Sequence, residues 1–281
     1  MSTTPDSSAL NTPTNSGWDC HAHLFGPYDR FSLAEERSYT PPEAVLEHYL
    51  ALLAHLGLSH GVLVQPSAYA QDHALLFHAL AAQPQLRGVV VARPGELAGL
   101  LMQKSPGLRA ARFSHRSGAG GNFAGTASFD DLLHMAGPLA DAGLHAELWT
   151  DCKALPGIAA ALADLPVPVV IDHMGGFDVQ AGVDDPGFRT LLSLVESGQT
   201  WVKLCAYRNL LAAPAIDLGE PFHRALLQAN PERLLWGSDW PHLRVTPFPD
   251  AAQLLDTFKR WTTNETLVSQ ILVVNPTTLY G

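Results

Sequence analysis

His21 and His23, in Asp19-Cys20-His21-Ala22-His23, have the types and spacing to do chemistry. Residues two apart on a strand point the same way, about 6–7 Å apart along the chain. On a strand these two imidazoles therefore project together. Two imidazoles aimed at one point suit a metal ion, or the joint polarisation of one substrate oxygen. An isolated His-x-His is more often a pair of solvated surface histidines, so the weight of the pair depends on what the rest of the chain brings to it.

Eight apolar stretches, each followed by a helical or loop segment, supply the frame. They lie at 17–24, 60–67, 86–94, 108–114, 144–150, 167–175, 200–206 and 233–241. Several are apolar on both faces, as strands buried on both sides are. Eight βα units in one chain of this length predict a (β/α)8 TIM barrel, with residues 17–281 as a single domain. A doubly wound open sheet is the rival, but no G-x-G-x-x-G or phosphate loop follows any strand. Thr40, Pro41 and Glu43 read as the cap and first turn of a helix that Gly57 ends. The first 16 residues, rich in Ser, Thr, Asn and Pro, read as a disordered tail with no apolar signal region.

In a barrel the active site lies at the C-terminal ends of the strands. There the sequence places His21 and His23 (first strand), Ser67 (second), Arg112 and Ser114 (fourth), His173 (sixth) and Asp239 (eighth). Closure sets the eighth strand beside the first, so Asp239 should face the histidine pair. Asp19 and Asp172 sit in the opposite strand phase and read as outward-facing or capping residues. His55, His60, His73, His78 and His134 read as packing or surface histidines. Glu147 and Trp149 share a face of the fifth strand, and Lys203 on the seventh reads as a core-lining cation paired with a carboxylate. No G-x-S-x-G surrounds any serine, which weakens a serine-hydrolase reading.

The chain has 281 residues and a formal net charge of −10, which argues against nucleic-acid or anionic-membrane partners. No apolar run approaches the roughly 20 residues of a membrane span. Cys20, Cys152 and Cys205 form an odd, widely spaced set without C-x-x-C, the pattern of a reduced, cytoplasmic protein with buried thiols.

Three motifs resemble the amidohydrolase superfamily in its amidohydrolase 2 branch: Asp19-Cys20-His21-Ala22-His23, Ile171-Asp172-His173-Met174-Gly175 and Trp236-Gly237-Ser238-Asp239-Trp240-Pro241. With Phe25-Gly26-Pro27, Tyr39-Thr40-Pro41 and Gln65-Pro66-Ser67, the chain is most similar within that branch to the 2-pyrone-4,6-dicarboxylate lactonases and related sugar lactonases. The resemblance implies a lactone hydrolase of aromatic-compound catabolism. Asp239 would take a proton from water, and His21, His23 and His173 would polarise the carbonyl. Tyr39, Ser67, Arg112 and Arg208 would hold the substrate, the arginines by its carboxylates, with Arg116 near a second arginine position. Two departures stand out. The family carries arginine where this chain has Gly176, and again where it has Gly118, so a substrate with fewer carboxylates is expected.

The lactonase branch works without a metal, so none is expected to be required. The same His21, His23, His173 and Asp239 would suit Zn or Mn if one bound. A metal-dependent amidohydrolase or decarboxylase is therefore one rival reading, a sugar lactone isomerase a second, and a catalytically idle binding protein a third. The expected partner is a small anionic lactone, and the protein a monomer or a homo-oligomer.

Overall fold

The structure is a computed structural model and describes residues 17–118, 122–211, 215–243, 245–247 and 249–281. The expected N-terminal tail, and the middle of the Gly-rich loop after residue 117, lie outside the described residues.

Eight parallel strands form one sheet in sequential order: β1 (Trp18–Ala22), β2 (His60–Val64), β3 (Leu86–Val91), β4 (Leu108–His115), β5 (His145–Thr150), β6 (Val169–Ile171), β7 (Thr200–Leu204) and β8 (Leu234–Trp236). The sheet closes just past the end of β8. There Asp239 N donates to His21 O at 2.8 Å and His23 N donates to Trp240 O at 2.8 Å. Eight helices follow the eight strands: α1 (Leu46–Leu56), α2 (Ala74–Ala82), α3 (Leu97–Leu101), α4 (Phe129–Asp141), α5 (Leu155–Ala163), α6 (Pro186–Glu196), α7 (Glu220–Ala229) and α8 (Ala251–Thr262). This is the (β/α)8 barrel.

The start of α1 departs from expectation. Thr40 does not cap it; the helix begins at Leu46, with Val45 extended before it. Pro42 biases its predecessor away from helical backbone, so Pro41 cannot open the helix. Ala44 forms an antiparallel bridge with Phe25 instead, and Val45 is extended. Ala44 exchanges backbone hydrogen bonds with Phe25 at 2.7 and 2.9 Å, and the Glu43 carboxylate accepts from Tyr28 N at 2.6 Å.

Beyond α8 the chain continues as α9 (Glu265–Ser269), a π turn (Gln270–Val274) and α10 (Asn275–Tyr280). Tyr280 is fully buried. It joins Trp18, Cys20, Val62, Val64, Val89, Ala110, Val170, Trp201 and Leu235 in one cluster. Residues from seven strands can meet only inside the barrel, so α10 plugs its floor. The larger apolar cluster lies between the strands and the surrounding helices. Cys20, Cys152 and Cys205 are free and buried. Among the described residues, no helix is long and apolar enough to cross a membrane.

Candidate active site

Closure of β8 on β1 builds the centre of the site. At Gly237 a Cβ would sit 2.7 Å from the Cβ of His21, so only glycine lets the two chains approach this closely. The next residue is tied to β1 as well: Ser238 N and Oγ donate to the Asp19 carboxylate at 2.8 and 2.6 Å. Asp19 also accepts from His21 N at 3.2 Å and Tyr49 OH at 3.2 Å. It faces away from the centre as expected, but it is fully buried and fastens β1, α1 and the segment before Asp239 together.

Asp239 has φ 57° and His173 φ 50°. Left-handed backbone in non-glycine residues costs on the order of 1–3 kcal/mol and is kept where the surroundings enforce it, often at functional sites. Each conformation turns a side chain into the barrel mouth.

Four side chains converge there. Asp239 Oδ1 lies 3.7 Å from His21 Nε2, 3.6 Å from His23 Nε2 and 3.6 Å from His173 Nε2. His21 Nε2 and His23 Nε2 are hydrogen-bonded at 3.3 Å. His23 Nδ1 faces the Val64 carbonyl at 2.8 Å. A carbonyl only accepts, so in the neutral ring Nδ1 carries the proton and Nε2 turns a lone pair to the centre. Asp239 Oδ1 and both ring nitrogens of His173 are buried without a hydrogen-bond partner in the protein. Unpaired buried polar atoms cost about 1–3 kcal/mol each, so their concentration at one point marks a place built for a polar ligand.

The other carboxylate oxygen of Asp239 is occupied. Oδ2 accepts from Tyr207 OH at 2.7 Å and from Arg208 Nε at 2.7 Å, with Arg208 Nη2 closer still. Burial alone would push this carboxyl up. The Arg208 guanidinium and then His173 outweigh it, and Asp239 is held well below the usual carboxylate range.

Asp172 departs from its expected outward position. Val170, two residues earlier, belongs to the interior cluster, so Asp172 also points into the barrel. His173 reaches the centre because the chain turns left-handed there. Asp172 Oδ2 accepts from Arg112 Nε at 3.0 Å and Nη2 at 2.8 Å, while Oδ1 lies 3.4 Å from Lys203 Nζ and 3.3 Å from His21 Nδ1. Lys203 pairs with Glu147 Oε2 at 2.5 Å, the carboxylate partner its strand position suggested. His21 is pushed down to about 3, first by burial and then by the Lys203 ammonium. The His21–Asp172–Lys203–Glu147 arrangement was not legible as part of the site, although polar residues inside three strands were its trace.

A cavity of about 270 Å3 opens above the centre, lined by His23, Tyr39, Ser67, Arg112, Trp149, His173, Arg208 and Asp239 among others. It brings Tyr39, Ser67, Arg112 and Arg208 to the imidazoles. Phe123, Thr126, Trp149, Leu211 and Leu243 also line it, and the sequence reading did not single them out as cavity residues. Burial pushes the Tyr39 hydroxyl up, so it stays a neutral donor. Arg116 stands outside this cavity. Its guanidinium stacks over the Trp149 ring at 4.7 Å, pairs with Asp151 at 3.5 Å and lines the neighbouring groove. Gly176 lies in that groove with φ 56°, and a Cβ there would meet Asp151 Cβ at 3.1 Å.

The ligand atoms of His21, His23 and Asp239 lie within 4.8 Å of one another, a donor set of the kind Zn²⁺ or Mn²⁺ accepts. His173 Nε2, 3.6 Å from Asp239 Oδ1, stands at the same centre. Donor separations of 3.3–3.7 Å are those of ligands sharing one ion at roughly 2.1 Å, so these residues would hold a metal if His21 turned a lone pair to the centre. With a proton on His21 Nε2 the same 3.3 Å contact is instead a hydrogen bond to His23.

Comparison with known proteins agrees with this architecture. The family model described as Amidohydrolase matches residues 18–281. A 4-sulfomuconolactone hydrolase of Rhizobium radiobacter is 34% identical over 270 residues, covering 94% of this chain and 89% of the relative. A 2-pyrone-4,6-dicarboxylate hydrolase of Comamonas testosteroni is 33% identical over 275 residues, covering 93% and 89%. The crystal structure of a probable 2-pyrone-4,6-dicarboxylic acid hydrolase from Acinetobacter baumannii, with citric acid bound, superposes with a TM-score of 0.82 at 26% identity, covering 95% of this chain and 99% of that one. With its barrel, its paired histidines on β1 and its aspartate after β8, the chain belongs to the amidohydrolase family.

Proposed function

We propose that the protein hydrolyses a lactone bearing one anionic substituent, and that it needs no metal to do so. The observation that carries this reading is the unpartnered Asp239 Oδ1, faced by three imidazole Nε2 atoms at the floor of a cavity with two arginines in its wall. Asp239 Oδ1 is the unpartnered acceptor at the centre. A water donating one hydrogen to it keeps a lone pair free to attack. Asp239 takes one water proton while the new C–O bond forms at the lactone carbonyl. The carbonyl oxygen gathers charge beside His21 and His173, and an aimed donor there is worth roughly 2.7–4 kcal/mol. The ring C–O bond then breaks, and Asp239 returns its proton to the departing oxygen.

The charge around the cavity favours one anionic substituent over two. Arg112 and Arg208 are already paired with Asp172 and Asp239. Glycine, which offers no cation, stands at 118 and 176, the two positions where the resemblance to dicarboxylate lactonases leads to an expectation of arginine. Tyr39, Ser67 and Arg112, which line the cavity, would hold a single carboxylate or sulfonate, and Arg116 would meet a longer substituent.

The test is a panel of lactones with none, one or two anionic groups, assayed in ¹⁸O-water after chelator treatment. Ring opening with one ¹⁸O in the product carboxylate, fastest for the singly charged lactones, is expected. An unlabelled rearranged lactone would establish an isomerase instead, and activity restored only by stoichiometric zinc would overturn the metal-free mechanism.

A further inference from the structure

The proton on His21 is set from beneath the site. Lys203 Nζ is hydrogen-bonded to His21 Nδ1 at 3.1 Å. An ammonium only donates, so Nδ1 must be the acceptor, and the remaining ring proton belongs on Nε2. The other end of the ring leads to the same placement independently. His23 gives its Nδ1 proton to Val64 O at 2.8 Å, so its Nε2 accepts, and the 3.3 Å bond between the two rings takes its proton from His21 Nε2.

Two charged neighbours, Lys203 and Asp172, flank His21 Nδ1 and decide this balance. Asp172 Oδ1, at 3.3 Å, is the one group that would draw the proton to Nδ1. It makes no hydrogen bond of acceptable geometry, whereas the Lys203 contact does. Lys203 is in turn held by Glu147 Oε2 at 2.5 Å, and Tyr280 OH donates to Glu147 Oε1 at 2.7 Å. Lys203, Glu147 and Tyr280 are fully buried, so water does not compete for these bonds. Burial would favour a neutral amine at Lys203, but Glu147 and Asp172 outweigh it and the ammonium persists.

We infer that Lys203, braced by Glu147 and the barrel-floor Tyr280, is a positioning residue that fixes the Nε2–H tautomer of His21. His21 thereby presents a hydrogen-bond donor to the reaction centre in place of a metal ligand. Its use as the donor to a carbonyl oxygen rests on the lactonase reading; the tautomer itself does not.

The tautomer is read directly by two-dimensional ¹H–¹⁵N NMR of ¹⁵N-histidine-labelled protein, with no substrate present. His21 is assigned by the signals lost in His21→Asn. In the wild type the protonated nitrogen should be Nε2. In Lys203→Met the proton should pass to Nδ1, facing Asp172. Because that change strands the Glu147 charge, Lys203→Met combined with Glu147→Gln is the second variant, and it should show the same exchange with a folded spectrum. If the lactonase reading also holds, kcat of the double variant should fall about 10²-fold, the scale of one lost oxyanion donor, with little change in KM. A wild-type proton on Nδ1, or a His21 spectrum unmoved in the double variant, would overturn the inference whatever the substrate proves to be.

Discussion

Arg208 holds Asp239 by the oxygen turned away from the imidazoles: Nε lies 2.7 Å from Oδ2, while Oδ1 faces the three rings without a partner. One carboxylate thus has a charge-compensated side and a reactive side. The same guanidinium that orients Asp239 also weakens it as a base by holding its carboxyl low. Arg208→Met should therefore raise the Asp239 pKa. Since the base must be ionised, the acid limb of the kcat/KM profile should move to higher pH, with the loss greatest at the acid end. Asp239→Asn should lower turnover by roughly 10²–10⁴-fold while circular dichroism shows the fold intact. Near-normal activity in that variant would remove Asp239 from the mechanism.

Arg112 and Arg116 flank the same Trp149 ring but should fail differently. The Arg112 side chain is 14% exposed and grips the fully buried Asp172 at 2.8 Å, whereas that of Arg116 is 34% exposed and reaches Asp151 only at 3.5 Å. Removing one partner of a buried pair costs about 3–5 kcal/mol, but an exposed pair is worth about 0–1 kcal/mol. Arg112→Met should lower Tm markedly as well as raise KM for an anionic lactone. Arg116→Met should leave Tm nearly unmoved and affect KM only for substrates long enough to reach the groove. Equal thermal losses in the two variants would contradict the division of roles.

His223 offers a test of acid stability away from the chemistry. It is buried against Phe258 and Trp261, with Nε2 3.0 Å from Thr262 Oγ1. Burial, and then Arg224, push it down to about 3 from an ordinary 6.5. A folded pKa below the unfolded one means the stabilisation is present above pH 6.5 and is lost as pH falls towards 3. Over that window one such group contributes at most about 1.4 kcal/mol per pH unit. His223→Gln should therefore be the less stable protein at pH 7 and close the gap on the wild type as pH falls, in urea unfolding at pH 7, 5 and 4. A difference independent of pH would show that His223 is not held neutral.

The sequence by itself determined the barrel, because its signals are local. Eight apolar runs separated by helical segments can satisfy their backbone and bury both faces in few ways, and the rule that barrel chemistry sits at strand ends selected His21, His23, His173 and Asp239. Strand period also suggested a carboxylate partner for Lys203. The same period misplaced Asp172, because a two-residue alternation carries no information about the left-handed turn that begins at His173. What occupies each hydrogen bond was decided by tertiary structure alone. Lys203 meets His21 across 182 residues of chain, Tyr280 meets Glu147 across 133, and Ser238 meets Asp19 across 219. A histidine's tautomer and a carboxylate's basicity depend on which charge lies about 3 Å away, and only closure of the barrel brings those charges together.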